Sequence, residues 1–189
     1  MMTRPCRATP CLFVLDARRA QTRAETRALK RAAEPRGRSA ATSVTLDVDI
    51  ETLWRAIQTP ALLESVTRGL MRFDPVDPDG FPTVWDAREH RVDLRLFGWL
   101  PIGRQVIAIE RPPAEGARRL LRDNGRGDVV SAWDHLMILE PAPGGRTRYT
   151  DLVRVEAGRL TLPVTALAWL YYALRQRNLR RLARSGAIA

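Results

Sequence analysis

The sequence LPVTALAWLYYALRQRNLRRLAR, residues 162–184, decides the fold that we expect for this chain. It is the longest stretch with a helical pattern, because Pro163 suits a first helical turn and no later glycine or proline interrupts the stretch before Gly186. At about 100° per residue, one broad arc of this helix is apolar. The arc holds Val164, Leu167, Ala168, Leu170, Tyr171, Leu174, Leu179 and Leu182. An apolar arc needs a partner surface, so we expect the residues before it to form a β-sheet that covers it.

Segments of alternating polarity upstream of this helix predict the sheet. Residues 44–50 alternate apolar and polar side chains, which is typical of a half-buried strand. Two short helices follow, over residues 50–57 and 61–67, with Pro60 at the start of the second. Asn124-Gly125 predicts a turn. Further strands are predicted over residues 70–73, 84–97, 104–110, 118–122, 129–140 and 147–156. This order predicts one α+β domain over residues 41–189.

The charge of the chain is concentrated at its two ends. The net charge is +10; residues 1–40 hold ten basic and three acidic residues, and residues 160–189 hold five basic and no acidic ones. Nucleic-acid-binding domains carry their positive charge on a structured face, so we expect no specific nucleic-acid partner. Residues 1–40 also lack a periodic apolar face, which predicts a disordered basic tail.

The sequence predicts no cofactor and no metal site. Cys6 and Cys11 are the only cysteines, and both histidines lie far from them, so a zinc site lacks ligands. The chain contains no phosphate-binding loop, dinucleotide-binding fingerprint or metalloprotease motif. No segment reaches the roughly 20 apolar residues of a transmembrane helix. With no secretory signal pattern either, we expect a cytoplasmic protein.

Four local motifs occur in an order that is typical of one protein superfamily. Val48 stands six residues before Trp54 and leads into Thr59-Pro60; the run 132–135 is Ala-Trp-Asp-His; Gly144-Gly145 precedes Thr147 and Asp151; and arginines end the last helix. In this order they resemble the SRPBCC superfamily (START, polyketide cyclase, birch-pollen allergen), particularly its bacterial cyclase/dehydrase-like members. The resemblance spans about residues 42–184. It implies a helix-grip fold, in which a curved antiparallel sheet of about seven strands wraps around the long C-terminal helix and leaves an apolar cavity between them.

His135 and Asp151 are the candidate catalytic residues. They lie on the two strands of a predicted hairpin, whose register the sequence leaves open. One alignment pairs Asp151 with His135, and a slip of one residue pairs it with Leu136. If the two share a face, the carboxylate orients the imidazole for acid–base work. The alternative is a His–Asp pair that only fixes the sheet.

Nine residues are candidates for contacts with a ligand in the implied cavity. Arg175 stands inside the apolar arc of the last helix; we expect its long side chain to extend to water, although pairing with a carboxylate of the protein or of a ligand is the alternative. The aromatic candidates have core packing as their alternative role. The full set is His90, Leu94, Trp99, Trp133, Met137, Tyr149, Leu167, Tyr171 and Arg175.

Three functions from different classes follow. The first, which we favour, is the binding of a small hydrophobic molecule (a lipid, quinone or polyketide-like compound) in an internal cavity. The second is a polyketide cyclase or dehydratase that uses His135 and Asp151 as acid–base groups. The third is an interaction protein whose basic ends contact an anionic membrane or RNA, so peripheral membrane contact stays open. The sequence does not indicate an oligomeric state.

Overall fold

A computed structural model describes residues 37–113 and 116–188 of the chain. The elements are strand β1 (Arg38–Leu46), helices α1 (Ile50–Ile57) and α2 (Pro60–Thr67), strands β2 (Met71–Pro75), β3 (Glu89–Leu96), β4 (Leu100–Glu110), β5 (Arg119–Gly127), β6 (Ala132–Ala142) and β7 (Arg146–Glu156), and helix α3 (Thr161–Arg184), which a 3₁₀ turn (Gly158–Leu160) precedes. The predicted α+β order is confirmed. No helix within the described residues is long and apolar enough to cross a membrane.

One antiparallel sheet contains all seven strands, in the order β1-β7-β6-β5-β4-β3-β2. Consecutive strands from β2 to β7 are neighbours, and β1 closes the far edge by pairing with β7 along its whole length. The sheet is curved, and α3 packs on its concave side against β1 and β7. This is the helix-grip arrangement, with two short helices after the first strand, that the family resemblance implies.

The two short helices begin where the sequence provides caps. Asp49 caps α1, since its side chain accepts hydrogen bonds from the backbone N–H groups of Glu51 and Thr52. Thr59 caps α2 in the same way, with Pro60 in the first turn. Leu53 of α1 and Val66 of α2 are fully buried in the main core, so both helices are held by packing as well as by their caps.

Several strand boundaries differ from the prediction by three or more residues, among them the starts of β1, β3 and β4. β1 begins at Arg38, three residues before the predicted start of the domain, because residues 38–40 continue the ladder with β7. β3 begins only at Glu89, and Trp85, which the prediction placed in this strand, lies in the loop before it. Trp85 is buried against the core, and its backbone N–H donates to Gln58 O at 2.8 Å. The rest of the predicted tail lies outside the described residues.

The predicted turn at Asn124-Gly125 is wrong, since both residues lie inside β5. Gly125 is instead required there by the close approach of two strands. A Cβ atom at this position would lie 2.9 Å from the carbonyl oxygen of Val106, so β4 and β5 approach each other too closely for a side chain. The strand therefore runs on to Gly127 and carries Asp123 on the concave face of the sheet.

The buried face of α3 is more polar than the predicted apolar arc. Ala168 and Leu179 are buried as expected, whereas Leu167 and Leu170 are about half exposed or more, at 64% and 48%. The remaining buried residues are Thr161, Thr165, Tyr172, Arg175 and Gln176. The helix is rotated from the predicted orientation because polar groups of α3 have partners on the sheet beneath it.

Candidate functional site

A cavity of about 460 Å³ lies between α3 and the concave face of the sheet. Apolar side chains from α2, α3 and strands β2, β3, β4 and β6 form most of its wall, and Phe97, Val129 and Leu167, all mainly exposed, lie at its margin. Seven of the eleven residues predicted for the site line it: Leu94, Trp133, His135, Met137, Leu167, Tyr171 and Arg175.

The other four predicted residues do not line the cavity. Trp99 lies in the turn between β3 and β4 and is 68% exposed. His90 is buried, but its Nε2 lies 3.0 Å from Asp86 Oδ1 and its ring packs on Trp85. Tyr149 and Asp151 are buried deeper than the cavity wall, at the contact between β7 and α3.

Asp151 is the centre of a buried polar cluster, which we call the Asp151 cluster. Its Oδ1 accepts hydrogen bonds from His135 Nε2 at 2.7 Å, from the Tyr149 hydroxyl at 2.7 Å and from Arg175 Nη1 at 3.3 Å. Its Oδ2 accepts one from Gln176 Nε2 at 2.8 Å. Asp151 is 1% exposed, so these donors replace the water that a carboxylate would otherwise need.

The hairpin register that forms this cluster differs from both predicted alignments. Asp151 pairs with Met137, and His135 pairs with Val153. The offset from the first predicted alignment is two residues, so His135 and Asp151 still share the concave face. They are diagonal neighbours, a spacing that a long side chain can bridge.

The expected solvent-extended position of Arg175 is wrong. Arg175 is 7% exposed; besides its bond to Asp151, its Nη2 donates to the Tyr149 hydroxyl at 3.2 Å, and its guanidinium lies 5.4 Å from the centre of the Tyr172 ring. Arg175 can be buried because the buried carboxylate of Asp151 lies next to it and stabilises its charge. The sequence alone does not show that these two residues meet. Its Nε has no hydrogen-bond partner within the described part of the chain.

Electrostatics within the Asp151 cluster favour an ionised carboxylate and a neutral histidine. Burial acts to raise the pKa of Asp151, but the charge of Arg175 and the hydrogen bond from His135 outweigh it, so this pKa lies below its ordinary value. Burial lowers the pKa of His135, and Asp151 only partly offsets this effect. Arg175 and Asp151 thus neutralise each other, and His135 carries its proton on Nε2, from which it donates a hydrogen bond to Asp151.

A second polar contact joins the cluster to the cavity wall. Trp133 Nε1 donates to the Tyr172 hydroxyl at 3.1 Å, and the His135 and Tyr172 rings lie 4.5 Å apart, centre to centre. Tyr171, the next residue of α3, also lines the cavity. Burial raises the pKa of Tyr171 to about 12, so its hydroxyl keeps its proton at neutral pH.

Asp123 is a cavity residue that the sequence analysis missed. It lies on β5, directly opposite His135 on β6, and it is 9% exposed. Its Oδ1 accepts a hydrogen bond from the Ala108 backbone N–H at 2.9 Å. Burial raises the pKa of Asp123 to about 7. The available signal was the alternation Leu121, Asp123, Gly125, which places an acid on an apolar strand face, but the Asn-Gly pair led to a turn prediction there.

Within residues 37–113 and 116–188, no group of three or more histidine, cysteine, aspartate and glutamate side chains has an arrangement that could hold a metal ion. The side chains that converge at the cavity are instead suited to hydrogen bonding with an organic molecule: a neutral imidazole, two phenols, a paired guanidinium and a carboxyl group.

Comparison with known proteins identifies the fold. No family model and no curated protein matches the sequence. Among solved structures, a START superfamily protein from Mycobacterium smegmatis is similar with a TM-score of 0.55 and 15% sequence identity, over 78% of this chain and 97% of that one. A hypothetical protein from Helicobacter pylori has a TM-score of 0.55 and 13% identity, over 77% and 88%. A major latex-like protein from Panax ginseng has a TM-score of 0.52 and 9% identity, over 78% and 98%. The chain therefore shares the helix-grip fold with these solved structures, as its resemblance to the SRPBCC superfamily implies.

Proposed function

We propose that this protein binds a small, mainly apolar molecule in the cavity between α3 and the sheet. The observation that carries the proposal is the cavity itself. Protein interiors are normally close-packed, and an unfilled apolar space lowers stability, so a space of about 460 Å³ in the core needs an explanation. Ligand sites of small molecules have about 300–1,000 Å³, and the apolar wall with a few polar groups fits that class. Proteins with this fold generally bind hydrophobic ligands.

The proposal is tested by filling the cavity from α3. Ala168 lines the cavity and is 1% exposed, whereas Ala166, on the same helix, is exposed and does not line it. We expect the neutral dye N-phenyl-1-naphthylamine to bind the wild type with a rise in fluorescence. Ala168→Phe should weaken this binding at least tenfold, and Ala166→Phe should leave it unchanged. Equal binding by all three proteins would mean that the dye binds elsewhere.

A second candidate function is acid–base catalysis on a polyketide-like substrate. The observation that favours it is that His135 lines the cavity while Asp151 holds its Nε2 from behind, at 2.7 Å. The neutral imidazole then has its Nδ1 as a base. Against it, Asp151 is fully enclosed and bonded to three other donors, which suits a structural role equally well.

A model poly-β-ketone distinguishes catalysis from binding. If the protein is a cyclase or dehydratase, it should convert this compound to an aromatic or dehydrated product, detected by ultraviolet absorption. His135→Gln should abolish conversion and leave dye binding intact. Binding of the compound without any conversion supports the first proposal.

The third candidate, contact of basic ends with an anionic membrane or RNA, stays a prediction. Arg177, Arg180, Arg181 and Arg184 are all exposed on α3, and the basic N-terminal stretch lies outside the described residues. Binding to anionic vesicles that weakens steeply with salt would support it. The cytoplasmic location is likewise a prediction from the sequence alone.

A further inference from the structure

Asp123 is a buried carboxyl group that faces the cavity. It stands on β5 between Leu121 and Gly125 on the concave face, and Gly125 places no side chain beside it. His135 is its direct neighbour across the β5–β6 ladder, with Cβ atoms about 5 Å apart in such pairs. The β4–β5 ladder has a gap at Ile107 and Ala108, and the Asp123 carboxyl accepts a hydrogen bond from the Ala108 N–H there. One oxygen is thus fixed by the backbone.

The other oxygen of Asp123 has no hydrogen-bond or ion-pair partner in residues 37–113 and 116–188. Two aspartates on the neighbouring strands β6 and β7 differ from Asp123, because their carboxylates are fully paired. Asp151 has four donors, including Arg175, and Asp134 is paired with Arg122 and Arg154 on the opposite face of the sheet. Because Asp123 lines the cavity, its second oxygen is available to a molecule inside it.

The surroundings of Asp123 raise its pKa, so its carboxylic acid form persists to higher pH than usual. Burial is the main cause, and the carboxylates of Asp134 and Glu110 add to it. Arg175, the cation that acts to lower this pKa, already neutralises Asp151. The ionisable groups that surround Asp123 are His135 on β6 and Arg175 and Tyr171 on α3, on the cavity side, and Asp134 on β6 and Glu110 on β4, on the other face of the sheet.

We propose that Asp123 is the residue that recognises the polar end of the ligand, by donating a hydrogen bond from its carboxylic acid to the carbonyl oxygen of a neutral, mainly apolar ketone or ester. This inference rests on the proposed function, since it needs a molecule in the cavity. The chemistry follows from the hydrogen-bond partners: a protonated carboxyl is a donor, and this donor has no acceptor among residues 37–113 and 116–188. A ligand carbonyl supplies that acceptor without adding charge to a dry site.

Competition with N-phenyl-1-naphthylamine tests the inference with three probes of equal chain length: methyl nonyl ketone, undecane and undecylamine. At about pH 5 we expect the ketone to displace the dye about tenfold better than undecane, the gain of one hydrogen bond in a dry site. At about pH 9 this preference should be lost, because the Asp123 proton is lost between these values.

Three variants separate Asp123 from its surroundings. Asp123→Asn keeps a donor that does not titrate, so its ketone preference should persist at both pH values. Asp123→Leu should lose the preference at both while still binding the dye. Asp79→Asn is the matched control, because Asp79 is exposed and does not line the cavity; it should behave as the wild type.

The outcomes are distinct. A wild type that prefers undecylamine increasingly as the pH rises would overturn the inference, because Asp123 would then bind as a carboxylate. Dye binding without any preference for the ketone over undecane would also overturn it and would leave the proposed function standing. Absence of dye binding would overturn the proposed function, and this inference with it.

Discussion

Replacing Arg175 with methionine tests the Asp151 cluster. Arg175→Met keeps much of the apolar stem of the side chain and removes its bonds to Asp151 and the Tyr149 hydroxyl. Asp151, 1% exposed, is then left without its cation. Breaking a buried ion pair on one side costs about 3–5 kcal/mol. For a chain of this size, each kcal/mol lowers the melting temperature by about 2–4 °C, so we expect a fall of about 6–20 °C.

The loss should depend on pH in a direction that the cluster fixes. In the wild type the pKa of Asp151 lies below its ordinary value, so this group stabilises the fold above that value and loses its contribution only as the pH falls through the folded pKa. Without Arg175, burial raises the pKa of Asp151 instead, and the variant can relieve the charge by binding a proton. The destabilisation should therefore be smaller at about pH 5 than at about pH 8.

Urea denaturation of Arg175→Met beside Arg177→Met measures this loss. Arg177 lies on the same helix but is exposed, so its replacement should change the free energy of unfolding by no more than about 0.5 kcal/mol. The double variant with Asp151→Asn should recover part of the loss, because the unpaired charge is gone. If Arg175→Met stays within about 1 kcal/mol of the wild type at pH 8, the buried pair is not a stabilising element of this protein.

Three further predictions concern stability. The pKa of Asp123 is about 7 in the folded protein against 3.8 as its ordinary value, so the unfolded chain loses this proton first and wild-type stability falls as the pH rises between them. Asp123→Asn should therefore have a larger free energy of unfolding than the wild type above about pH 7, by on the order of 4 kcal/mol. This difference should shrink toward about pH 4, and a difference that does not change with pH would contradict the prediction. Gly125→Ala should lower the melting temperature, because the new Cβ lies 2.9 Å from Val106 O. Gly144→Ala is the comparison: it lies at a turn where the nearest atom is 3.9 Å away, so it measures the cost of a positive φ without a close contact. A Gly125→Ala protein as stable as the wild type would refute the close approach. Deletion of residues 1–36, which the sequence predicts to be a tail, should leave the melting temperature nearly unchanged, and a fall of many degrees would show that these residues pack on the domain.

The order of elements was predictable from the sequence because local signals carry it. Asp49, Thr59 and Pro60 mark the helix starts through capping chemistry that acts within three residues. Alternation marks the strands in the same local way. The long last helix was also evident, since α3 begins at Thr161 and ends at Arg184, within one residue of the predicted start.

The site was only partly predictable, because its contacts join residues that are far apart in sequence. Whether Arg175 extends to water or is buried depends on Asp151, which sits 24 residues away on another element. The register of β6 and β7 depends on the whole ladder, so a local pattern placed His135 and Asp151 on one face but not at the right offset. Asp123 was missed because Asn124-Gly125 is a turn signal that the close approach of β4 overrides.

The central claim, that an apolar molecule binds inside the cavity, is tested most directly by NMR of the methionine methyl groups. The chain has four methionines: Met71 and Met137 line the cavity, and Met1 and Met2 stand at the start of the chain, outside the described residues. Titration with N-phenyl-1-naphthylamine should shift the signals of Met71 and Met137, because an aromatic ring enters the space beside them, and should leave the signals of Met1 and Met2 in place. Signals of Met71 and Met137 that do not move at saturating dye would contradict the account.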